Sequence, residues 1–525
     1  MKKFLAMLLV FSLLLACAAC GGDGSSSQQS TSSADSSTAG TSSEDAPVES
    51  NADVEDGDYP VLRFNMNTAT GDPRSKTSEV MDAINEILRE KAHAEIEPVW
   101  VTFADMQTQL NLLLTGGDDS LDFFSSFWYQ PLGILVSNGQ VAELDSLLEE
   151  YGQETKELFG DYEAVLDCGR VGGKLYGIPS YTAWTAPNIY FSQKADADSA
   201  NIDWSKVTDL DSATEAMLAM KKANPDHYYI PGSTEPYWIP KGIDYLGDQN
   251  YLGVLLDPEK STTIENYYES DYFLNIMENV KIWQQNGIIS PDPMSCNSAT
   301  LASMQNGLVS GTTGYSWDAA EFCHQANVSG VYGGDLVGAE ISPSYITTGN
   351  VTTYLWHITP FCKEPEAAMR VLNLLYTDPE VATIFSYGVE GVTYQLDENG
   401  AAAYLDGENG QTSGWTGGQS FVVPNGTIVP LWFDQSPDAN ERIYESNKNA
   451  KRSIALGFTC DMEPVADQVA ACANVIAQYY TPLMNGVVDI DEVVPVFQKA
   501  LHDAGIDEII KCKQEQLDDW LAAQG

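Results

Sequence analysis

The sequence predicts an α/β protein of at least two lobes, and three observations lead to that fold class. Segments with alternating apolar and polar residues take turns with segments of helical apolar spacing, which is typical of βαβ units and a largely parallel sheet. The chain has 525 residues, more than a single hydrophobic core usually serves. Because 43% of residues are hydrophobic and 10% aromatic, disorder of the whole chain is excluded.

Individual elements follow from these local patterns. They predict, in order, a strand at 61–67, a helix at 81–91, a strand at 96–101, a helix at 106–115, strands at 121–124 and 188–193, and helices from about residue 209. Near the end of the chain, apolar stripes at 493–501 and 506–520 predict two helices that pack onto the body. Asp489 or Asp491 is the expected cap of the first. Trp100, Trp283 and Trp520 have helix or strand periodicity and are expected in the core.

The charge balance excludes two classes of protein. The chain carries 26 Lys and Arg against 75 Asp and Glu, for a formal net charge of −49. A nucleic-acid-binding protein needs a basic surface that displaces counterions from phosphates, and a polybasic membrane-surface protein needs one that attracts anionic lipids. We therefore expect a soluble acidic protein without a nucleic-acid partner.

The amino terminus has the pattern of a secretory signal. Residues 1–3 are positively charged and 4–19 form an apolar run that is too short to span a bilayer comfortably. The run ends in Cys17-Ala18-Ala19-Cys20-Gly21-Gly22, which resembles the bacterial lipobox, where a cysteine after small residues receives a diacylglycerol. The resemblance implies a lipoprotein signal peptide at 1–19 and lipid attachment at Cys20. Cys17 is a weaker alternative site, and an ordinary cleaved signal is the alternative for the whole segment.

A polar segment follows at 20–58, rich in Ser, Thr, Gly, Asp and Ala, and we expect it to be a disordered tether. No later segment has 18 consecutive apolar residues. Signal, lipid-accepting cysteine and tether together predict an exported body held at the outer face of the bacterial cytoplasmic membrane through a lipid anchor.

Motifs for catalysis or metal binding have little support. The five histidines are far apart and none of the seven cysteines after Cys20 belongs to a C-x-x-C pair, so no zinc site and no other cofactor is expected. The seven cysteines after Cys20 leave both buried thiols and one or two disulfides open. Residues 172–174 resemble part of a P-loop but lack its first glycine and its Ser or Thr. Residues 395–406 resemble half of a calcium-binding EF-hand loop, but a β-hairpin around Asn399-Gly400 fits better.

Several runs resemble the family-1 extracellular solute-binding proteins, the capture subunits of bacterial ABC importers. They are "GKLYGIP" at 173–179, "NGIISPDP" at 286–293, "MQNGLVSGTTGYSWD" at 304–318 and "KEPEAAMRVLNLLYTDPEVATIFSYGVEGVTY" at 363–394. The last is similar to the helix pair of carbohydrate-type members. "PVADQVAACANVIAQY" at 464–479 and "AGIDEIIKCKQEQLDDWLA" at 504–522 resemble the C-terminal segment of a lipoprotein subgroup. The resemblance covers nearly all of the chain after about Tyr59.

The resemblance implies a type II periplasmic-binding-protein fold, with two lobes joined by crossover strands at a hinge. Lobe 1 is expected at 59–180 with 350–395, and lobe 2 at 181–349 with 396–525. The implied protein is a monomer and not an enzyme: it binds a sugar or oligosaccharide between the lobes and delivers it to the permease subunits of an ABC importer. A peptide-binding importer component, a surface glycan-degrading enzyme and an adhesive lipoprotein are the alternatives.

Aromatic residues in loop contexts are the candidate ligand-binding residues. Flat apolar rings contact the C–H faces of sugars, and polar groups around them bind hydroxyls. The candidates are Trp128, Tyr129, Tyr181, Trp184, Tyr237, Trp238, Trp317, Asp318, Trp356, Trp415 and Trp432. Ordinary core packing is the alternative for each aromatic, and we expect it for about half of them.

Overall fold

The structure is a computed structural model in which residues 59–68, 73–102, 105–117, 120–127, 129–232, 242–247, 250–290, 300–415 and 423–524 are described. The signal, Cys17, Cys20 and the tether lie outside these residues. Among the described residues, no helix combines the length and the apolar character that a membrane crossing requires.

The strands of the described chain lie between residues 61 and 452. They are β1 (Val61–Thr68), β2 (Glu95–Thr102), β3 (Phe123–Phe127), β4 (Arg170–Val171), β5 (Lys174–Leu175), β6 (Ile178–Pro179), β7 (Asn188–Gln193), β8 (Gly311–Tyr315), β9 (Leu336–Glu340), β10 (Tyr345–Ile346), β11 (Tyr354–Ile358), β12 (Gln395–Leu396), β13 (Ala402–Ala403) and β14 (Lys451–Arg452).

Helices fill the intervals and the C-terminal segment. They are α1 (Thr77–Ala92), α2 (Met106–Thr115), α3 (Leu132–Ser137), α4 (Asp145–Tyr151), α5 (Gln153–Leu158), α6 (Glu163–Leu166), α7 (Lys194–Ala200), α8 (Leu210–Ala223), α9 (Asp271–Gln285), α10 (Thr300–Gln305), α11 (Ala319–Ser329), α12 (Thr348–Val351), α13 (Pro365–Thr377), α14 (Pro379–Tyr387), α15 (Ala439–Asn449), α16 (Ala466–Met484), α17 (Ile490–Ala504) and α18 (Ile506–Gln524).

The first lobe is built on a five-stranded sheet in the order β2-β1-β3-β11-β6. Strands β1, β2 and β3 are parallel, as predicted, whereas β11 runs antiparallel to β3 and to β6. The difference has a topological cause, since β11 returns from the second lobe and enters the sheet at the edge where β3 ends. All five side chains of β3 are buried, and the buried face of α1, at Val80, Ile84 and Leu88, covers the same core.

The second lobe has a three-stranded sheet in the order β8-β7-β9, and both pairs are antiparallel. The largely parallel arrangement expected from the sequence therefore applies only to part of the first lobe. Helices α8 and α9 and the closing helices α16, α17 and α18 share one buried cluster around Met217, Tyr267 and Phe497. Asp489 caps α17 by accepting backbone N–H groups at 3.1 and 3.2 Å, which confirms one of the two predicted caps.

Two crossovers join the main sheets of the lobes, at residues 180–187 between β6 and β7 and at 341–353 between β9 and β11. The type II two-lobed fold is thus present. The hairpin of β12 and β13 and residues 428–433 pack on α14 of the first lobe, where the Trp432 ring lies 5.1 Å from the Tyr387 ring. That segment was expected in the second lobe. The other lobe boundaries stay a prediction.

Side chains expected in the core are found there. Trp283 is buried. Trp100 packs edge-on against the Trp415 ring at 5.6 Å, and Trp520 against the Phe458 ring at 5.8 Å. Six cysteines in the described residues are free thiols, so the thiol alternative applies to them. Burial raises the pKa of the Cys168 thiol to about 12, which makes it unreactive.

Candidate ligand cleft

The carboxyl ends of β1, β3 and β6 meet at one edge of the first-lobe sheet. Tyr354 begins the antiparallel strand β11 at this edge, where it pairs with Phe127, and its carbonyl accepts the Ser180 N–H at 3.0 Å. Ligands of open α/β sheets bind beyond the carboxyl ends of the strands. Because the chain also leaves for the second lobe here, we expect the ligand-binding cleft of a two-lobed protein at this edge.

Four polar side-chain atoms at this edge are buried without a hydrogen-bond partner among the described residues. They are Oδ1 of Asn67, both amide atoms of Gln130 and Oγ of Ser180. The backbone of Gln130 is fixed at the end of β3, since its N–H donates to the Phe127 carbonyl at 2.8 Å. Leaving a buried polar group without a partner costs about 1–3 kcal/mol. Several such groups at one edge indicate atoms that a ligand can satisfy.

A neighbouring asparagine shows the contrast. Two residues before Asn67, Oδ1 of Asn65 accepts the Ser125 N–H at 2.9 Å, and its Nδ2 donates to the Ser125 carbonyl at 3.4 Å. Asn65 thus ties β1 to β3, whereas the carbonyl oxygen of Asn67 makes no such tie. The two side chains are similarly buried, so burial alone does not account for the difference.

Aromatic rings line the same edge. The Phe127 ring stacks on Tyr129 with centroids 5.9 Å apart and planes 1° apart, and it meets Tyr354 edge-on at 5.5 Å. Burial raises the pKa of Tyr129 and of Tyr354, so both phenols stay neutral. The phenol of Tyr315, the last residue of β8 in the second lobe, adds to the rise in the pKa of Tyr354. Tyr315 of the second lobe is therefore close enough to Tyr354 of the first lobe to interact with it electrostatically.

Tyr245 joins this group because a glycine makes room for it. A Cβ atom at Gly349, in helix α12 of the return crossover, would lie 2.7 Å from the Tyr245 hydroxyl. Only glycine permits this approach of the ring to the crossover. Burial raises the pKa of Tyr245, and the neighbouring Asp244 and Tyr315 raise it further.

The turn after β8 carries Trp317 and Asp318. Trp317 is half-buried. Asp318 caps α11, since its Oδ1 accepts the Glu321 N–H at 2.8 Å, and its Oδ2 pairs with Arg442 Nη1 at 2.7 Å. Both carboxylate oxygens of Asp318 thus have protein partners, and its contribution to the cleft is to hold the turn.

The structure brings only some of the predicted ligand-binding residues together. Tyr129 lies at the first-lobe edge, and Trp317 and Asp318 lie at the second-lobe turn. Tyr181 and Trp432 are 6% exposed and pack in separate clusters. Trp184, Trp356 and Trp415 are at most 2% exposed and belong to the first-lobe core cluster in this conformation, and their role as ligand contacts stays a prediction. Trp128, Tyr237 and Trp238 lie outside the described residues.

Several cleft residues were missed at the level of sequence: Asn67, Gln130, Ser180, Tyr315 and Tyr354. Each of the first three stands at or just after the end of a strand, which is a usable signal. The position of Tyr354 depends on β11 entering the sheet antiparallel, and no local pattern in the sequence reveals that direction.

One group of side chains, around His227, resembles a catalytic triad. His227 has Asp196 at 2.7 Å and Ser310 at 3.2 Å, but both contact the same ring nitrogen, Nδ1, whereas a catalytic triad uses opposite nitrogens. Within the described ranges, no three His, Cys, Asp or Glu side chains are placed to hold a metal ion. Residues 395–403 form the predicted hairpin, with Oδ1 of Asp397 accepting the N–H groups of Asn399 and Ala401.

Comparisons with known proteins find transport proteins that are similar to this chain. Residues 454–522 match the family model described as "Domain of unknown function (DUF3502)". The chain is 25% identical over 493 residues to a carbohydrate ABC transporter substrate-binding protein of Streptococcus pneumoniae serotype 4, an alignment that covers 89% of this chain and 92% of that protein. The resemblance found in the sequence is therefore confirmed.

Solved structures share the fold. The N-glycan transport solute binding protein (NgtS) from Streptococcus pneumoniae superposes with a TM-score of 0.76 at 22% identity, covering 89% of this chain and 100% of that one. Its complex with Man5GlcNAc gives a TM-score of 0.65 at 22% identity and covers 89% and 99%. The alginate-binding protein AlgQ2 without calcium ion gives 0.58 at 17% identity and covers 88% and 99%.

Proposed function

We propose that this chain, a relative of the carbohydrate ABC transporter substrate-binding proteins, captures a neutral oligosaccharide for an ABC importer. One observation carries the proposal: the first-lobe edge offers buried amide and hydroxyl atoms that have no partner among the described residues, beside the rings of Tyr129 and Tyr354. Amides and hydroxyls both donate and accept hydrogen bonds, as sugar hydroxyls do, and rings contact the C–H faces of sugars.

The same groups favour a neutral ligand over an acidic one. Asn67, Gln130, Ser180 and the tyrosines are uncharged, and Arg442, the cation that lies against Trp317 at the second-lobe turn, is engaged by Asp318 and Glu321. An acidic sugar brought here would lose its hydration without gaining a free cation. The N-glycan complex of the similar transport protein fits this choice of ligand.

Capture works through the two lobes without making or breaking a bond. A glycan that touches both the first-lobe edge and the Tyr315–Trp317 turn completes its contacts only when the lobes close. It therefore shifts the population toward the closed state, which the permease subunits recognise. The lipid at Cys20 and the tether 20–58 keep this monomeric body at the outer face of the cytoplasmic membrane.

Calorimetry and a thermal-shift screen of the purified body, residues 59–525, test the proposal. The probes are oligomannose glycans, maltooligosaccharides, alginate oligosaccharides and short peptides. We expect saturable binding of a neutral oligosaccharide, with the glycan recovered intact by chromatography. Stabilisation by peptides alone favours a peptide importer, and consumption of a glycan favours an enzyme; either result contradicts the proposal.

A further inference from the structure

Arg442 on α15 lies against the indole of Trp317. Its guanidinium carbon is 5.4 Å from the ring centroid, a cation–π distance. The same guanidinium pairs with Asp318 Oδ2 at 2.7 Å and with Glu321, and its Nε forms an ion pair with Asp438 at 3.2 Å. Nη1 and Nη2 thus each hydrogen-bond to one carboxylate, whereas Nε is near Asp438 but makes no hydrogen bond within the described chain. The two hydrogen bonds fix the plane that meets Trp317.

The carboxylates of Glu321 and Asp318, which pair with Arg442, are themselves fixed by hydrogen bonds. Glu321 is 1% exposed, and its Oε1 accepts the N–H of Ser436 at 3.0 Å and the amide of Gln325 at 3.0 Å. Asp318 caps α11 at the same time. The Arg442 side chain therefore has one well-determined position. A planar guanidinium can hold such a position better than the ammonium of a lysine can.

The carboxyl end of α15 is hydrogen-bonded to the first crossover. Asn447 is fully buried; its Oδ1 accepts the Trp184 N–H at 3.0 Å, and its Nδ2 donates to the Thr182 carbonyl at 2.7 Å. The Ser446 hydroxyl lies 3.3 Å from that of Thr185. One short helix thus connects the segment between the lobes to the turn that carries Trp317.

We infer that Arg442 is a positioning residue for the cleft, holding the Trp317 ring toward the ligand from a helix anchored on the interlobe crossover. The choice of ligand in this inference rests on the proposed function, whereas the position of Arg442 against Trp317 does not depend on it. Because α15 contacts both the crossover and the turn, the orientation of Trp317 is tied to the segment about which the lobes move. Arg442 itself does not need to touch the glycan.

The first test measures the ring without any ligand. In protein labelled with 5-fluorotryptophan, the ¹⁹F resonance of Trp317 is assigned with Trp317→Phe. We expect Arg442→Met to shift or broaden this resonance while that of Trp283, in the second-lobe core, is unchanged. Lys448→Met removes a cation from the same helix that lies over Tyr444 instead, and it should leave Trp317 unaffected. An unaltered Trp317 resonance in a folded Arg442→Met protein overturns the inference.

The second test measures binding of Man5GlcNAc by calorimetry. We expect Arg442→Met to weaken binding about tenfold or more, Arg442→Lys to recover only part of it, and Lys448→Met to match wild type. If Arg442→Met does not fold, because Glu321 is left as a buried unpaired charge, Arg442→Met/Glu321→Gln keeps the site neutral. Equal affinity of the folded variant and wild type refutes the inference. Absence of binding by wild type contradicts the choice of glycan instead, and the fluorine result then decides the inference alone.

Discussion

The imidazole of His357 occupies the space beside the α-carbon of Gly177. A Cβ atom at position 177 would lie 2.6 Å from Cε1 and 2.9 Å from Nδ1 of His357. The ring is held there because Nδ1 donates to the Tyr176 carbonyl at 2.6 Å and Nε2 accepts from the Ser126 hydroxyl at 2.8 Å. The second glycine of the "GKLYGIP" run is thus required by a histidine from β11, and this contact joins β3, β11 and the turn between β5 and β6.

Gly177→Ala should therefore destabilise the protein. The added methyl group meets a ring that has two hydrogen bonds and no room to move, and overpacking of this kind costs about 1–3 kcal/mol. Gly160→Ala is the matched control, since a Cβ atom there meets nothing within 4 Å. Urea unfolding of the two variants checks the difference; equal midpoints would show that the His357 ring relaxes freely.

The same histidine predicts a loss of stability in acid. Burial lowers the pKa of His357 to about 4, below its ordinary value of 6.5, so the folded protein keeps the ring neutral where the unfolded chain protonates it. The stabilisation is complete above pH 6.5 and is lost as the pH falls toward 4, on the order of 3 kcal/mol in total.

Unfolding free energies measured between pH 7.5 and pH 4 test this dependence. His357→Gln should flatten the slope below pH 6.5, whereas His93→Gln, at an exposed position after α1, should keep the wild-type slope. Parallel pH profiles for wild type and His357→Gln would contradict the assignment of the acid sensitivity to His357.

Two asparagines on β1 separate stability from binding. Asn65→Ala removes the tie to Ser125 and should cost about 1–3 kcal/mol of unfolding free energy. Asn67→Ala removes an acceptor that has no protein partner in the described chain, so we expect a stability change below about 1 kcal/mol.

Binding should show the opposite order. Asn67→Ala is expected to weaken oligosaccharide affinity roughly tenfold, because one hydrogen bond to the ligand is worth on the order of 1 kcal/mol or more. Denaturation and calorimetry on both variants decide the matter. If Asn67→Ala lowers stability as much as Asn65→Ala and leaves affinity intact, then Asn67 is structural.

The anchor is tested at the two cysteines of the signal. Cys20→Ser should release the full-length protein into the culture medium, because the thioether to the lipid cannot form, whereas Cys17→Ser should leave it in the membrane fraction. Immunoblots of the two fractions measure the distribution. Release by Cys17→Ser alone identifies Cys17 as the lipidated residue, and retention of both variants in the membrane refutes a cysteine-linked anchor.

Much of the fold could be predicted because its elements are locally patterned. The strand predicted at 188–193 matches β7 in both bounds, and those at 61–67 and 96–101 match β1 and β2 within one residue at each end. The strand predicted at 121–124 corresponds to β3, which ends three residues later, at Phe127. The sequence does not reveal this end, because Ser125 and Ser126 are buried through hydrogen bonds to distant residues.

The cleft was less predictable for a physical reason. An aromatic residue in a loop has the same local sequence whether it faces a ligand or packs inside, as Trp317 and Trp415 show. What separates them is the register of distant strands, which pairs Tyr354 with Phe127, and the position of α15, which places Arg442 against Trp317. These contacts join residues that are far apart in the sequence, and local periodicity carries no information about them.

A crystal structure of the body with the tightest-binding neutral oligosaccharide tests the central claim most directly. The account predicts glycan density between the lobes. Sugar hydroxyls should bind Asn67 and Gln130, and one face of a sugar should lie on the rings of Tyr354 and Tyr315. Glycan density outside the cleft, or a filled cleft in which Asn67 and Gln130 make no contact with the sugar, would contradict it.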